Sequence, residues 1–431
     1  QGYLIETKYF DEGGIGQFIN EGYATYIRKY DIWGNDVEGG FYGLNSEPVM
    51  HKEGFSKYAQ KFDEYGNLIE VTFYGLNDKP IMREQGVAKI VYKYDRNGLM
   101  TETAFYGVNG EPVIAIDDVG NSKATIRYDE YKNPVEYTYY GIDGKLMLIK
   151  NGVARSVFKY DEHGNVIEQT NYGTDNKLKL NKEGYAVAIS KLDRQGDLLE
   201  QSYYGVNGTP ILSDLGVAKL IMKYDNRRNV IELSSYGISG QPVLTKGNSD
   251  RTAKIIFKYD ARGNRIESSS FGTDGNPILN SVGAAKINTK YDSKGRVIET
   301  YYQGINGKPT LNIVGYTKEL NIYDDRGKFS GVSYLGIKNE PINTNWGFSH
   351  FRIDYKAGGV IFSNVEGKSF LETNPLLFEG LTSSIEKTKL GVLEQKDSNG
   401  NYVWSSSFEE NSKSTTTSGL SSFVVYLEDA N

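Results

Sequence analysis

Hydrophobic and polar residues alternate along most of this chain, and the pattern itself returns about every 32 residues. The segment "GVAKIVYKYDRNGLMTETAFYGVNGEPVIA", Gly86 to Ala115, is typical of one copy. Alternation with a period of two indicates β-strands, whereas Asp95-Arg96-Asn97-Gly98 and Asn109-Gly110 indicate tight turns. Each copy is therefore predicted to form a β-hairpin followed by a third, short strand.

One Asp, usually preceded by Tyr, marks each copy, and a Gly follows it twelve residues later. We number the copies one to ten by this residue: Asp31, Asp63, Asp95, Asp129, Asp161, Asp193, Asp225, Asp260, Asp292 and Asp324. Two steps are longer than 32 residues because of insertions near Asp117–Ser122 and Lys246–Arg251. Ten copies in phase predict a tandem array, in which each unit packs on its neighbours.

Charged residues predict the register of each hairpin. A basic residue stands two positions before the Asp in nine copies, and a Glu stands seven positions after it in nine. Pairing these two across the turn puts Ile90 opposite Phe105 and Tyr94 opposite Thr101. Apolar residues then share one face, while Lys, Glu, Thr and Tyr share the other. We predict that the Lys–Glu pair fixes the register and contributes about 0.2–1 kcal/mol where it is exposed.

The predicted fold class is all-β: tandem 32-residue β-hairpin or three-strand repeats, stacked into an elongated or spiralling array, with a small C-terminal β-containing domain. A single hairpin is marginally stable, so stacking must supply most of the stability. We predict an N-terminal half repeat at 1–22, ten tandem copies at 23–346, a degenerate capping repeat at 347–359, and a C-terminal cap or docking domain at 360–431.

Composition narrows the chemistry. The 431 residues carry a net charge of −6 and contain no Cys and only three His. The chain therefore has no basic footprint for nucleic acid, no thiol chemistry and little material for zinc, and it has no apolar run long enough to span a membrane. We expect no cofactor, no metal and no catalytic residue. Because Gln1 falls inside a repeat, we expect a processed or trimmed chain.

The repeated Asp, with a nearby Asn and Glu, offers oxygen ligands that could bind Ca²⁺. However, the Asp occupies one turn position in ten copies while the residues after it vary freely. That variation favours an Asp that caps its own turn. Cleavage of a glycoside would need one distinctive pair of carboxylates, and here every candidate pair recurs from copy to copy. We therefore predict that the protein is not an enzyme.

A Tyr stands immediately before the repeat Gly in the first seven copies. These candidate ligand-binding residues are Tyr42, Tyr74, Tyr106, Tyr140, Tyr172, Tyr204 and Tyr236. The predicted register places them on the Lys/Glu face, where they would form an aromatic ladder able to stack on sugar rings or to dock a partner. The alternative, which we favour, is that each Tyr packs against its neighbours within the array.

The motif Tyr-Asp-x-x-Gly-Asn resembles the YD repeats of RHS-type bacterial proteins, in a long-period, 32-residue variety. The segments "KYDEYGNLIEVTFYGLNDKPIM" (Lys61–Met82) and "NKEGYA" (Asn181–Ala186) show it best, and the resemblance covers about residues 1–350. It implies a β-rich bacterial protein that is secreted or located at the cell surface, and it attaches no enzymatic activity to the repeats.

Three functions follow from these observations. The first is a non-enzymatic extracellular protein with a structural or adhesive role, such as a self-assembling filament or surface-layer subunit, whose partners are copies of itself or other surface proteins. The second is a carbohydrate-binding protein that holds a polysaccharide on the Tyr ladder. The third is an RHS-like shell fragment that encloses a cargo.

Overall fold

The computed structural model describes residues 5–11, 13–117, 119–246, 251–354, 359–367, 392–396 and 402–407. Within these ranges every regular element is a β-strand, which confirms the predicted all-β fold of stacked hairpins. The chain forms two compact units. The first runs up to Gly196 and includes Ser202–Ser213, and the second comprises Asp197–Gln201 and the chain from Asp214 onward.

From Thr25 to Leu335, strands of six and seven residues alternate, and the strands outside this range have three to six residues. Up to copy six they are β1 (Glu6–Lys8), β2 (Thr25–Tyr30), β3 (Asp36–Tyr42), β4 (Lys57–Phe62), β5 (Leu68–Tyr74), β6 (Lys89–Tyr94), β7 (Met100–Tyr106), β8 (Lys123–Tyr128), β9 (Pro134–Tyr140), β10 (Arg155–Tyr160), β11 (Val166–Tyr172), β12 (Val187–Leu192) and β13 (Leu198–Tyr204). The remaining strands are β14 (Lys219–Tyr224), β15 (Val230–Tyr236), β16 (Lys254–Tyr259), β17 (Arg265–Phe271), β18 (Lys286–Tyr291), β19 (Val297–Gln303), β20 (Lys318–Tyr323), β21 (Phe329–Leu335), β22 (His350–Asp354), β23 (Gly359–Ser363), β24 (Val392–Lys396) and β25 (Tyr402–Ser407).

Strands that follow one another in sequence are antiparallel neighbours. In the first unit this order runs from β1 to β12, and in the second from β14 to β23. Strands β24 and β25 pair with each other. Each copy thus contributes one hairpin, and the second strand of a hairpin pairs with the first strand of the next copy.

The predicted register is correct up to the charged pair and wrong beyond it. Lys93 lies opposite Glu102 and Ile90 opposite Phe105, as expected, but Tyr94 lies opposite Met100. A β-bulge therefore takes up Thr101, the residue predicted to face Tyr94. The same register shift follows the basic residue in copies one to five and seven to nine. A bulge adds one residue to one strand, which period-two counting does not anticipate.

The third segment of each copy is shorter than predicted. Instead of a strand it forms one isolated bridge, in which the residue before the repeat Gly pairs with a residue six positions later, as in Tyr106 with Pro112. Pro tolerates this position because no ladder N–H is required of it. The segment then turns toward the next copy, and a backbone N–H in this loop donates to the equivalent loop of the preceding copy, as from Ile116 to Gln85 (2.7 Å).

The first turn of each copy places its fourth residue in the left-handed region. Gly98 has φ +77°, a conformation that costs glycine little. In copies four and seven the same position is Lys132 (φ +70°) and Arg228 (φ +67°). A residue with a Cβ is strained there by about 1 kcal/mol. The turn geometry is therefore retained in the two copies whose sequence departs from the pattern.

The apolar face of the hairpins is covered by the residues that follow the third segment. In the first unit Val87, which is fully buried, packs with Phe55, Phe73 and Ile90. A second cluster around Tyr316, Tyr334, Phe348, Phe351 and Phe362 closes the last copies of the second unit. The described part of the last hairpin, β22–β23, ends at Ser363. The predicted divisions at 22, 346 and 359 stay predictions, and most of 360–431 lies outside the described residues.

Candidate functional site

The repeated Asp caps its own turn. In copy three the Oδ1 atom of Asp95 accepts hydrogen bonds from the backbone N–H groups of Asn97 (2.8 Å) and Leu99 (3.0 Å). These bonds, that from Leu99 foremost, lower the pKa of Asp95 from its ordinary value. In several copies an Asn four residues on, such as Asn67, also donates to the Asp side chain. The carboxylate oxygens are thus used within the turn, as the sequence predicted.

Among the described residues, no group of three or more His, Cys, Asp or Glu side chains is placed to hold a metal ion. Within the same ranges, no helix has the length and apolarity needed to cross a bilayer.

The Lys–Glu pairs form across the hairpins. In eight copies the basic nitrogen lies 2.6–3.3 Å from a Glu oxygen, with Lys93–Glu102 at 2.8 Å. The Lys93 side chain is 64% exposed and the Glu102 side chain 19%, so solvent screens the pair and its contribution is small. Its effect is on register, because a one-residue slip would move both charges to the apolar face.

In six copies the Glu also contacts a second cation, which sequence analysis did not predict. This cation is the first residue of the next hairpin: Arg155 of copy five, for example, lies 3.2 Å from Glu136 of copy four. Comparable contacts of 3.3–3.9 Å join Lys89–Glu70, Lys123–Glu102, Lys219–Glu200, Lys286–Glu267 and Lys318–Glu299. The Glu therefore links two consecutive copies. A basic residue opens eight of the ten first strands, which is the signal that could have indicated this role.

The seven ladder tyrosines lie half-buried on the Lys/Glu face, as their register predicted. Each pairs through its backbone with the residue six positions after it, Pro in five copies and Leu in two. The residue across the hairpin is the same linking cation: Arg155 lies opposite Tyr172, and its guanidinium is 4.0 Å from the ring centroid. Equivalent cation–π contacts of 4.6–5.3 Å join Lys57–Tyr74, Lys89–Tyr106 and Lys123–Tyr140.

In two copies the first strand of the hairpin begins with a residue that is not basic. Thr25 lies opposite Tyr42, and copy six, which contains Tyr204, opens its first strand with Val187. Neither Thr nor Val can supply a cation to the ring. Among the described side chains, Tyr42 and Tyr204 are thus the two ladder rings whose own hairpin starts without a basic residue.

The rungs are spaced widely. Lys123 lies opposite both Ala104 of the preceding copy and Tyr140 of its own, so Tyr140 is level with Ala104, two residues along the strand from Tyr106. Two strands across and two residues along correspond to a separation of about 12 Å between equivalent residues. The rings therefore do not stack on one another, and a basic side chain lies between consecutive rungs except between Tyr172 and Tyr204, where the residue is Val187.

The Tyr of the Tyr-Asp motif has a separate role. Its hydroxyl donates to the backbone carbonyl that begins the second strand of the preceding copy, as from Tyr128 to Met100 (2.8 Å). Copies three, five, seven, eight, nine and ten repeat this bond, at 2.8–3.0 Å, from Tyr94, Tyr160, Tyr224, Tyr259, Tyr291 and Tyr323. Copies two and six carry Phe62 and Leu192 there and have no hydroxyl to donate.

One carboxylate departs from the repeat pattern. Glu319 lies on the apolar face of copy ten opposite Tyr334, and it accepts a hydrogen bond from the Tyr316 hydroxyl (2.8 Å). Burial raises the pKa of Glu319, and burial together with this carboxylate raises the pKa of Tyr302 to about 12. The pair stands within the core cluster that closes the last copies.

These features define an all-β tandem-repeat protein whose recurring polar groups join one hairpin to the next. No family model and no curated protein matches the chain. It is similar to the solved structures of TcdB2-TccC3-TEV (12% identity, TM-score 0.33) and of a Photorhabdus luminescens Tc holotoxin pore (12%, 0.32), in each case over 88% of this chain and 20% of the other. A third match is TcdB2-TccC3 without its hypervariable C-terminal region, at 11% identity and TM-score 0.28, over 88% of this chain and 24% of the other.

The chain thus spans about a fifth of the length of the first two structures that it matches. At these TM-scores the matches carry no argument about what the chain does. That the chain is an RHS-like β-repeat protein of the long-period variety stays a prediction from the motif.

Proposed function

We propose that this chain is a non-enzymatic structural protein of the bacterial exterior, in which the repeat array is a scaffold that associates with further copies. One observation supports this proposal above the others: the polar groups that recur in the copies are used to join hairpins. Asp caps a turn, Glu binds two cations from consecutive copies, and the motif Tyr donates to the preceding copy. Groups used in this way build a scaffold.

The scaffold proposal is tested by the association state of the full chain. Sedimentation velocity over a hundredfold range of protein concentration, together with negative-stain electron microscopy, should reveal assemblies that grow with concentration. A monomer at every concentration, with no fibres or sheets on the grid, would contradict the assembly.

Carbohydrate binding on the Tyr ladder is the second candidate. Sugar stacking requires an open ring face, and four of the seven rings have a cationic group, a Lys ammonium or the Arg155 guanidinium, 4.0–5.3 Å from their centroids, which weighs against it. Tyr42 and Tyr204, which lack a basic residue at the start of their own hairpin, are the rungs best placed for it. Replacing Tyr106, Tyr140 and Tyr172 with Ala should abolish polysaccharide binding if the whole ladder is the site. If those variants bind as well as the parent and only Tyr42→Ala or Tyr204→Ala weakens binding, the site is restricted to the uncovered rings.

A shell that encloses a cargo is the third candidate and rests on the YD motif. It requires an enclosed cavity, which small-angle scattering or cryo-electron microscopy of the full chain would reveal. A solid or open particle would exclude it.

A further inference from the structure

The tips of the hairpins differ in chemistry between the two units. We define a tip as the six residues from the repeat Asp to the fifth residue after it. The third tip residue is Trp33, Tyr65, Asn97, Tyr131, His163 and Gln195 in the first six copies, and Arg227, Arg262, Lys294 and Arg326 in the last four. The turn conformation is the same in all copies although this residue differs, so the division into two classes does not come from the turn itself.

The tips of the first unit are aromatic and acidic. Trp33, Tyr65 and Tyr131 are 78%, 82% and 77% exposed, a degree of exposure that is unusual for large aromatic side chains. The tips of copies one, two and five each contain two acidic residues and no Lys or Arg. Glu64 and Glu130 stand directly before Tyr65 and Tyr131, and both Glu side chains are exposed. The tips of copies three, four and six each contain one basic residue, Arg96, Lys132 and Arg194, so the row is acidic in sum, with its aromatic rings in copies one, two and four.

The tips of the second unit are basic. Those of copies seven, eight and nine each contain two basic residues and one acidic residue, the turn-capping Asp. Several of these side chains lie along the row: Arg262 donates to the Ser293 carbonyl of the next tip (2.6 Å), and Arg296 to that of Gly327 (2.5 Å). Arg296 also binds the carboxylate of Asp292 (2.6 Å), so its charge is paired within its own tip. A guanidinium has five N–H donors, and the bond to Ser293 holds Arg262 in place and leaves other donors for a partner.

The two rows have the same spacing. Equivalent residues of consecutive copies are two strands and two residues apart in both units, as Ala104–Lys123–Tyr140 and Ser269–Lys286–Gln303 demonstrate. Successive tips therefore lie about 12 Å apart in either row. When one basic tip meets one acidic tip of another molecule, the next tips of both molecules come into position as well.

We propose that the basic tip row of one copy binds the acidic and aromatic tip row of a second copy. This inference rests on the proposed function and names the surface by which the scaffold associates. The contacts join guanidinium or ammonium groups to carboxylates and, at the tips that carry Trp or Tyr, to an aromatic ring as well. One exposed contact of this kind is weak, but several at equal spacing reinforce one another. Because the two rows are different surfaces of one chain, the contact is heterologous; such contacts build rings when the rotation closes and open assemblies when it does not.

Exchange of the charges tests the pairing in the full chain. The base-to-acid variant combines Arg227→Glu, Arg262→Glu and Lys294→Glu, and the acid-to-base variant combines Glu64→Lys, Glu130→Lys and Glu162→Lys. By sedimentation velocity at 20 mM NaCl, we expect either variant alone to associate at least about tenfold more weakly than the parent, because like charges then face each other. An equimolar mixture of the two should recover association, and 300 mM NaCl should weaken it in every case.

A matched control changes the same number of charges elsewhere. The combination Lys145→Glu, Lys177→Glu and Lys308→Glu alters exposed residues of the second turns and should associate like the parent protein. Circular dichroism melts establish that each variant is folded. If a reversed charge unfolds a tip, Gln is introduced at the same positions instead of the opposite charge.

The outcomes separate this inference from the proposed function. If the parent associates but the variants do too and the mixture behaves as their average, the tips are not the interface and only this inference fails. If the parent is a monomer at all concentrations, both fail. If the monomer binds the anionic polysaccharide heparin and the base-to-acid variant does not, the basic row serves a polyanion, and the pairing of copies is overturned.

Discussion

Removal of one hydroxyl from the Tyr-Asp motif should loosen the joint between two copies without disturbing either hairpin. Tyr128→Phe deletes the 2.8 Å bond to the Met100 carbonyl and keeps the ring. A neutral hydrogen bond contributes about 1 kcal/mol net, and the carbonyl left behind lies in a half-buried strand where water replaces the donor only in part. We therefore expect a loss of about 1 kcal/mol at this joint. When Tyr94 and Tyr160 are changed too, each of their joints should lose a similar amount, about three times as much in total.

Hydrogen exchange followed by mass spectrometry is the suitable assay, because a long repeat array need not unfold in a single step. A loss of 1 kcal/mol corresponds to about fivefold faster exchange of the amides that become exposed when that joint opens, here those of β7 and β8. The reciprocal change, Phe62→Tyr, supplies a hydroxyl where copy two has none. It should slow exchange at the joint between β3 and β4.

The reasoning fails if Tyr128→Phe exchanges like the parent while Tyr128→Leu exchanges faster. That combination would mean that ring packing, and not the hydroxyl, joins the copies.

Three further changes test other contacts. Arg155→Val gives copy five the residue type found in copy six and removes both the 3.2 Å contact with Glu136 and the contact with its ladder ring; we expect a loss of about 1–2 kcal/mol in urea denaturation, smaller in 1 M NaCl. Adding Glu136→Gln should then cost only the small contribution of the exposed Arg127–Glu136 pair. Lys132→Gly should stabilise the protein by about 0.5–1 kcal/mol because the residue has φ +70°, whereas Lys132→Ala should give no gain. Burial raises the pKa of Glu319, so the folded state loses stability as the pH rises above the ordinary Glu value of 4.5. Glu319→Gln should therefore raise the melting temperature at pH 7 and have no such effect below pH 4.5. An equal gain in melting temperature at pH 7 and below pH 4.5 would contradict the raised pKa.

Local structure could be predicted because its causes are local. The Asp-x-x-Gly turn depends on one carboxylate and one left-handed residue within four positions. Alternation then assigns each side chain to a face, and the Lys93–Glu102 pair selects the register. The bulge at Thr101 escaped prediction because period-two counting assumes one residue opposite one residue, and nothing in the side-chain pattern marks an added one.

Contacts between copies could not be predicted in the same way. The role of Arg155 depends on the two-residue stagger between hairpins, which places it opposite Tyr172 of its own copy and opposite Thr138, two residues from Glu136, of the preceding copy. The hydroxyl of Tyr128 binds the carbonyl of Met100, which lies 28 residues earlier, at a strand end where the register also shifts. Both residues recur in the sequence, but recurrence identifies a position as useful and does not identify its partner.

By itself, the sequence determined the repeat, the turns, the two faces and the hairpin register up to the charged pair, since each of these follows from residues within about twenty positions. Only the tertiary structure decided how one hairpin meets the next: the stagger, the bulge, the cations that lie on the ladder tyrosines, and the spacing that aligns the tips. These depend on packing between segments about 32 residues apart, where many arrangements satisfy the same alternation of polar and apolar residues.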